Sequence, residues 1–383
     1  MRDCWRGLAA AGLAYLCLSS LPSAADTDEL ALIALGRALF HDQNLSLQRT
    51  QSCATCHAPE RAFTDPRRVP AGGAVSLGAD GESLGRRNAP TLTYSAYAPV
   101  FGEGDAGLQG GLFHDGRAAT LLEQVRGPIH EPTEMAMPDA GAVAERLREQ
   151  STYLETLAEL HPEADWSDDE QLYEHALRAI VAFERSSALS SFDSKYDRFL
   201  AGQYEMTLDE RMGRELFFSD FTNCRQCHLQ HPDQRAEREP FSSYRYFNIG
   251  VPANPALPRQ AGPDGGLAEN QAIPAKREHR GQFRVPTLRN VAVTGPYMHN
   301  GVFKDLETAV RFYAQHVIEN DFSQRNPETG QPWAEPEVPE TVDDTLLPGG
   351  QPIGPVRVRQ LVAFLRTLTD ERYQALLPPF DQR

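Results

Sequence analysis

Two five-residue stretches restrict this 383-residue chain more than anything else in it: "CATCH" at 53–57 and "CRQCH" at 224–228. Each sets two thiols three positions apart with an imidazole directly behind them. That spacing lets two thiols form thioethers with the vinyl groups of a porphyrin while the adjacent histidine reaches the iron. The pairs are Cys53 with Cys56 and Cys224 with Cys227; the remaining cysteines, Cys4 and Cys17, fall in an N-terminal leader. Four cysteines in an exported chain ordinarily suggest disulfides. Two close pairs, each followed by histidine, argue instead for two covalently bound c-type haems with His57 and His228 as proximal ligands. Zinc needs four ligands in one cluster, and the long gap between the pairs makes it the poorer account.

The leader supports export. "MRDCWRGLAAAGLAYLCLSSLPSAAD" carries Arg2 and Arg6, then an apolar run, then small residues around Ser23 and Ala25. This is the pattern of a signal peptide over 1–25, cleaved after Ala25. Its apolar run is too short to span a bilayer and no later stretch is long enough, so no membrane span is expected. Loss of Arg2, Arg6 and Asp3 with the leader takes the net charge from −16 to −17. An acidic surface disfavours nucleic acid and anionic membrane, and steers basic partners toward it.

The surroundings of the motifs repeat. "LGRALFHD" (35–42) precedes the first and "MGRELFFS" (212–219) the second, each placing Gly-Arg-x-Leu-Phe on a helix that leads into the motif. Two haem domains of related build follow, over 26–190 and 191–383. Helical periodicity covers 140–160, 169–186 and 357–377, the last expected to pack back on the first domain. Gly/Pro-rich stretches at 65–90, 250–275 and 324–356 separate them, and strand signals are sparse. The expected fold is mainly α, with long loops that wrap the cofactors.

What occupies the sixth position of each iron decides between a carrier and an enzyme. Between His57 and His114 there is no histidine or methionine, which favours an open first haem. Further on, "LFHDGRAATLLEQVRGPIHEPTEM" (112–135) holds Gln124, His130, Glu131 and Glu134, stiffened by Pro128 and Pro132. A carboxylate above an iron can move a proton from one peroxide oxygen to the other. By spacing alone, a solvated acidic loop is the plainer reading. Near the C-terminus, "KDLETAVRFYAQHV" (304–317) reads as an amphipathic helix that Asp305 can cap. Its buried stripe is Leu306, Ala309, Val310, Tyr313 and Val317, and His316 lies one turn from Tyr313.

The two motifs, "RRNAPTL" (86–92), "LFHDGRAATLLEQVRGP" and "VPTLRNVAVTGPYMHNGVFKDLETAV" (285–310) together resemble the bacterial dihaem cytochrome c peroxidase/MauG family over essentially the whole mature chain. The resemblance implies two cytochrome-c-like domains meeting around a calcium ion, and a periplasmic enzyme that uses hydrogen peroxide. It assigns Glu134 as the distal acid–base group, Gln124 as its companion and Pro128 as a pocket residue limiting access. It assigns Asn88 and the carbonyls of Thr294 and Pro296 to calcium. Typical peroxidases of the family place a methionine fourteen residues beyond the histidine of "PYMHNG"; counting from His299 gives Tyr313. Tyrosine there matches the MauG branch, as second-haem ligand, with His316 the rival. A phenolate favours ferric and higher states where methionine favours ferrous iron.

Two departures stand out. The family's bridging tryptophan before "DGR" is His114 here, and the surface tryptophan two residues before the second motif in the MauG branch is Thr222. Tyr244, Tyr246 and Tyr297 are substitute relays or simply packed aromatics. The leading expectation is peroxide-driven oxidation of a partner protein, as in maturation of a cofactor. The alternatives are a peroxidase drawing electrons from a small cytochrome c or cupredoxin, and a non-enzymatic electron-transfer dihaem cytochrome.

Overall fold

The computed structural model describes residues 24–67, 71–231, 236–258 and 262–380, so the signal-peptide expectation for 1–25 falls almost wholly outside the described residues. The first half of the chain supplies α1 (Ala24–Phe40), α2 (Cys53–Cys56), α3 (Leu121–His130), α4 (Ala140–Arg148), α5 (Ser151–Leu160) and α6 (Asp169–Arg185). The second supplies α7 (Lys195–Leu200), α8 (Leu208–Phe218), α9 (Cys224–Cys227), α10 (Leu306–Phe312) and α11 (Pro355–Arg366). Sheet among the described residues is confined to two short antiparallel ribbons. One pairs β1 (Gly102–Gly104) with β2 (Gly107–Gln109), the other β3 (Tyr246–Phe247) with β4 (Phe283–Arg284). No described helix is long and apolar enough to cross a membrane.

Helix starts are written locally. Asp168 accepts from the Gln171 amide ahead of α6, and Thr207 forms a reciprocal capping box with Glu210 ahead of α8. Such caps contribute about 1 kcal/mol each, and the remaining stability comes from buried faces. One apolar core gathers side chains from Leu35 to Leu189, and a second gathers those from Tyr196 to Leu368.

The Gly-Arg-x-Leu-Phe repeat has a physical meaning in these cores. A methyl group at Gly36 would collide with the Ala179 carbonyl of α6, and one at Gly213 with the Gln360 carbonyl of α11. Each glycine therefore lets α1 cross α6, or α8 cross α11, at backbone contact. Beside each crossing sits the same aromatic triad. Phe40 meets Phe183 at 5.2 Å and Phe63 at 5.9 Å; Phe217 meets Phe364 at 5.2 Å and Phe241 at 5.8 Å.

Three helices differ from expectation. The 140–160 segment breaks at Gln150, which turns to extended backbone, while Glu149 keeps helical angles and binds the Arg49 guanidinium through both oxygens. The 357–377 segment ends its α-helix at Arg366, and a separate 3-10 turn runs over Glu371–Leu376. Helix α11 packs on α8 and not on the first core, because its apolar face belongs to the Gly213 crossing. The turn behind it makes the reach: Asp370 accepts from Tyr94 Oη at 2.6 Å, and Arg372 donates to the Ser187 and Ala188 carbonyls. Finally, α10 tightens into a 3-10 turn over Tyr313–His316, and Asp305 makes no side-chain cap. Glu328 takes the Lys304 and Asp305 amides instead.

Candidate active site

Both cysteine motifs sit on single helical turns, α2 and α9, each ending at its histidine. His57 Nδ1 bonds the Phe63 carbonyl at 3.1 Å. A proton committed there leaves the Nε2 lone pair for a metal. Around His228 the carbonyls of Phe241 and Pro286 stand in the same relation, although Nδ1 makes no bond within hydrogen-bond geometry. None of the four motif cysteines is joined to another by a disulfide. Burial pushes Cys56 up to about 11 and Cys227 up to about 12, and raises Cys53 and Cys224 as well. A dithiol redox pair needs a depressed thiol, so these surroundings suit sulfurs that are covalently capped.

In the first unit, α3 and the loop behind it build one wall. Gln124 is buried on α3 with its Oε1 unpartnered, and Pro128 lies one turn further along the same face. The 131–137 loop folds back onto α3 through Met135 N to Pro128 O and Met137 N to Ile129 O. His130 bridges the Met137 carbonyl and Tyr173 Oη, so both its nitrogens are spent on holding this loop. Glu134 rides on the loop within electrostatic reach of Cys53 and Cys56. Burial, helped by the like charge of Glu131 and opposed by Arg117, pushes its carboxyl up to about 7. An acid–base group titrating there can both take and return a proton near neutral pH.

A second carboxyl escaped the sequence reading. Glu184 on α6 is 3% exposed, lies within electrostatic reach of Cys53, and leaves Oε2 unpartnered. Burial alone pushes it up to about 8. Its signal in sequence was a lone acid on an otherwise apolar helix face, legible only once Phe183 and Phe364 are known to be equivalent.

The second unit encloses a cavity of about 320 Å³ whose wall includes Cys224, Cys227, His228 and Tyr313. The whole predicted stripe, Leu306, Ala309, Val310, Tyr313 and Val317, lines it. His316 lies outside this wall, turned against Phe312 by the 3-10 tightening of the backbone. Burial, then the nearby Cys227 and Cys224, hold the Tyr313 phenol above its usual range. A bound ferric ion would invert that balance. A largely apolar chamber that brings two thiols, the adjacent His228 and the Tyr313 phenol into one wall fits a covalently held porphyrin.

His114 also lines this cavity; its Nε2 bonds the Asn88 carbonyl at 2.9 Å, and burial lowers it to about 3, so the ring is neutral. Thr222 spends its hydroxyl on the Leu216 carbonyl. Of the substitute tyrosines, Tyr246 bonds Gly110 O and Tyr297 bonds Val291 O, while Tyr244 Oη is buried without a partner.

Asn88, Thr294 and Pro296 come together around a separate void of about 10 Å³, one water or ion in size. Asn88 commits its Nδ2 to the Ala74 carbonyl, which frees Oδ1, and Ser76 and Asp65 stand in the same wall. No group of three or more His, Cys, Asp or Glu among the described residues is placed to hold a metal. A cation here would rest on amide, hydroxyl and carbonyl oxygens, a donor set suited to a hard ion.

Comparison with known proteins agrees with this geometry. The family model for di-haem cytochrome c peroxidase matches residues 30–205. The methylamine utilization protein MauG of Paracoccus denitrificans is 47% identical over 353 residues, covering 91% of this chain and 90% of that protein. Cytochrome c peroxidase Ccp of Escherichia coli is 30% identical over 297 residues, 77% of this chain and 55% of that one. Among solved structures, the diheme peroxidase BthA from Burkholderia thailandensis superposes with a TM-score of 0.76 at 34% identity, covering 91% and 88%. The chain is a member of the dihaem cytochrome c peroxidase/MauG family, an oxidoreductase that binds two c-type haems and acts with peroxide.

Proposed function

We propose that this enzyme uses hydrogen peroxide at an open first haem to oxidise a partner protein, in the manner of cofactor maturation, and that it works in the periplasm after removal of residues 1–25. The observation that carries this reading is Tyr313 in the wall of the second cavity, with Cys224 and Cys227 in electrostatic reach. When bound, the haems supply the iron that takes peroxide and the capacity to hold its oxidising equivalents. The chain's own residues do the rest. His57 presents Nε2 because Phe63 O holds Nδ1. The Glu134 carboxylate takes a proton from one peroxide oxygen and delivers it to the departing one. Gln124 Oε1, buried and unpartnered, accepts a hydrogen bond from the bound molecule, and Pro128 narrows the approach.

His228 and Tyr313 would hold the second haem, and an anionic phenolate would favour its higher oxidation states over the ferrous form. Asn88, Thr294 and Pro296, which line the small void, would hold a calcium ion. Resting ferric protein mixed with peroxide is expected to form an oxidised state without prior one-electron reduction, and Tyr313→Phe is expected to change the second-haem spectrum. No oxidised state until one electron has been added, together with fast turnover on reduced cytochrome c, would place the enzyme among peroxide scavengers instead.

A further inference from the structure

A partner protein cannot enter the second cavity, so its electrons must cross the side chains that wall it. We propose that Trp333 is the point at which they enter; the inference rests on the peroxide-driven reading above. Trp166 and Trp333 are the two tryptophans among the described residues. Trp166 packs on the first core beside His175. Trp333 belongs to a small cluster with Ile249, Val251, Tyr297 and Met298, and each of those four also lines the second cavity. The indole itself packs on Phe303 and Phe312 of that cluster. Its ring meets Phe312 edge-on at 5.3 Å, and Phe312 is the sequence and ring neighbour of Tyr313, at 6.2 Å.

The indole is half-buried, with Nε1 donating to the Ser323 carbonyl at 2.7 Å. It is thus fixed in one orientation while part of it faces solvent. The 319–344 segment that carries it has eight carboxylates against a single arginine, Arg325, which is already paired with Asp321. Glu319, Glu335 and Asp344 are exposed. A donor that docks here presents a basic surface.

The electron count closes. The indole gives one electron to the oxidised second unit and is refilled by one from the donor. Two such transfers, with two protons, turn one hydrogen peroxide into two waters. Packing alone would also explain a tryptophan in this cluster, and the experiment separates the two.

Full-length holoenzyme is oxidised with peroxide and then mixed with reduced basic cytochrome c as the probe donor. Trp333→Phe is expected to form the oxidised state at the parent rate and to keep the second-haem spectrum. Its decay against cytochrome c is expected to slow about tenfold, roughly 1.4 kcal/mol of barrier, while decay against ascorbate is unchanged. Trp333→Tyr, which keeps an oxidisable ring, recovers part of the rate. With excess peroxide and no donor, peptide mass spectrometry should find oxygenated indole at Trp333 in preference to Trp166. Parent-like decay of Trp333→Phe against cytochrome c, or oxygenation at Trp166 alone, overturns the inference. Failure of the parent itself to become oxidised overturns the functional reading first, and this one with it.

Discussion

The two haem-motif units are built on one frame and finished differently. In each, a glycine lets an early helix touch a late one, Gly36 on α6 and Gly213 on α11. In each, three phenylalanines pack beside the crossing, and the middle one, Phe63 or Phe241, offers its carbonyl to the motif histidine. Among the differences, some fall close to the cysteine motifs. The first unit has Glu134 and Gln124 where the second has Tyr313, and α6 buries Glu184 where α11 buries Leu365, each directly after the equivalent phenylalanine. A repeated frame thus carries both cysteine motifs, and on the function proposed above the polar residues that differ would set the two units' roles.

The sharpest break in that comparison is Glu134→Gln. It is expected to slow the peroxide reaction about 10²–10⁴-fold while leaving the second-haem spectrum alone. Because the ionised carboxyl is the form that accepts the proton, the parent's rate should rise with pH through about 7. Stopped-flow rates across pH 5–9 check both; a flat profile and a full-speed variant would return Glu134 to the solvated acidic loop.

Glu184 comes next. Its folded carboxyl is pushed up to about 8, well above the ordinary carboxylate range, so between the two the unfolded chain is ionised and the folded one neutral. The folded state therefore loses stability as pH rises through that window, roughly 5 kcal/mol in all by the linkage relation. Glu184→Leu, the residue the second unit uses, should remove this slope. Denaturant melts of both proteins at pH 5 and pH 8 test it, and parallel slopes would mean the carboxyl is solvated. Gly36→Ala and Gly213→Ala should follow, each costing about 1–3 kcal/mol through overpacking at the crossing. A tolerated alanine at either one would show that the frames are not equivalent.

The parts legible in sequence were those that chemistry forces to be contiguous. A thioether pair with its histidine must be written within five residues, so Cys53 to His57 and Cys224 to His228 stood out at once. Glycine repeats and the stripe from Leu306 to Val317 were readable because helices have a fixed period. Spacing left Tyr313 and His316 both open as ligands; the fold puts Tyr313 in the cavity wall and His316 against Phe312. Glu184 and Trp333 were not singled out, because their meaning comes from partners far away in the chain. The 140–160 helix breaks at Gln150, whose extended backbone no lapse in the helical period announces.

The smallest test bears on the finest detail the units share. Thr91 Oγ1 donates to the Ala62 carbonyl at 2.6 Å and accepts from the Thr93 amide at 3.0 Å. Thr287 Oγ1 donates to the Pro240 carbonyl at 2.6 Å and accepts from the Arg289 amide at 3.1 Å. Ala62 and Pro240 each directly precede the phenylalanine that faces the motif imidazole. The hydroxyl therefore clamps the strand that sets the histidine's orientation, once per unit. Thr91→Val and Thr287→Val keep the shape and remove these two shared hydrogen bonds, Thr91→Val also a contact with Thr93 Oγ1 at 2.8 Å, so each should cost about 1–2 kcal/mol. If the frame is truly repeated, the two losses agree within roughly 0.5 kcal/mol and add in the double variant, as distant independent sites do. Each substitution should also disturb only its own haem's spectrum. A Thr91→Val effect on the second haem would mean that the units are coupled through this clamp, and the picture of two frames finished independently would have to be given up.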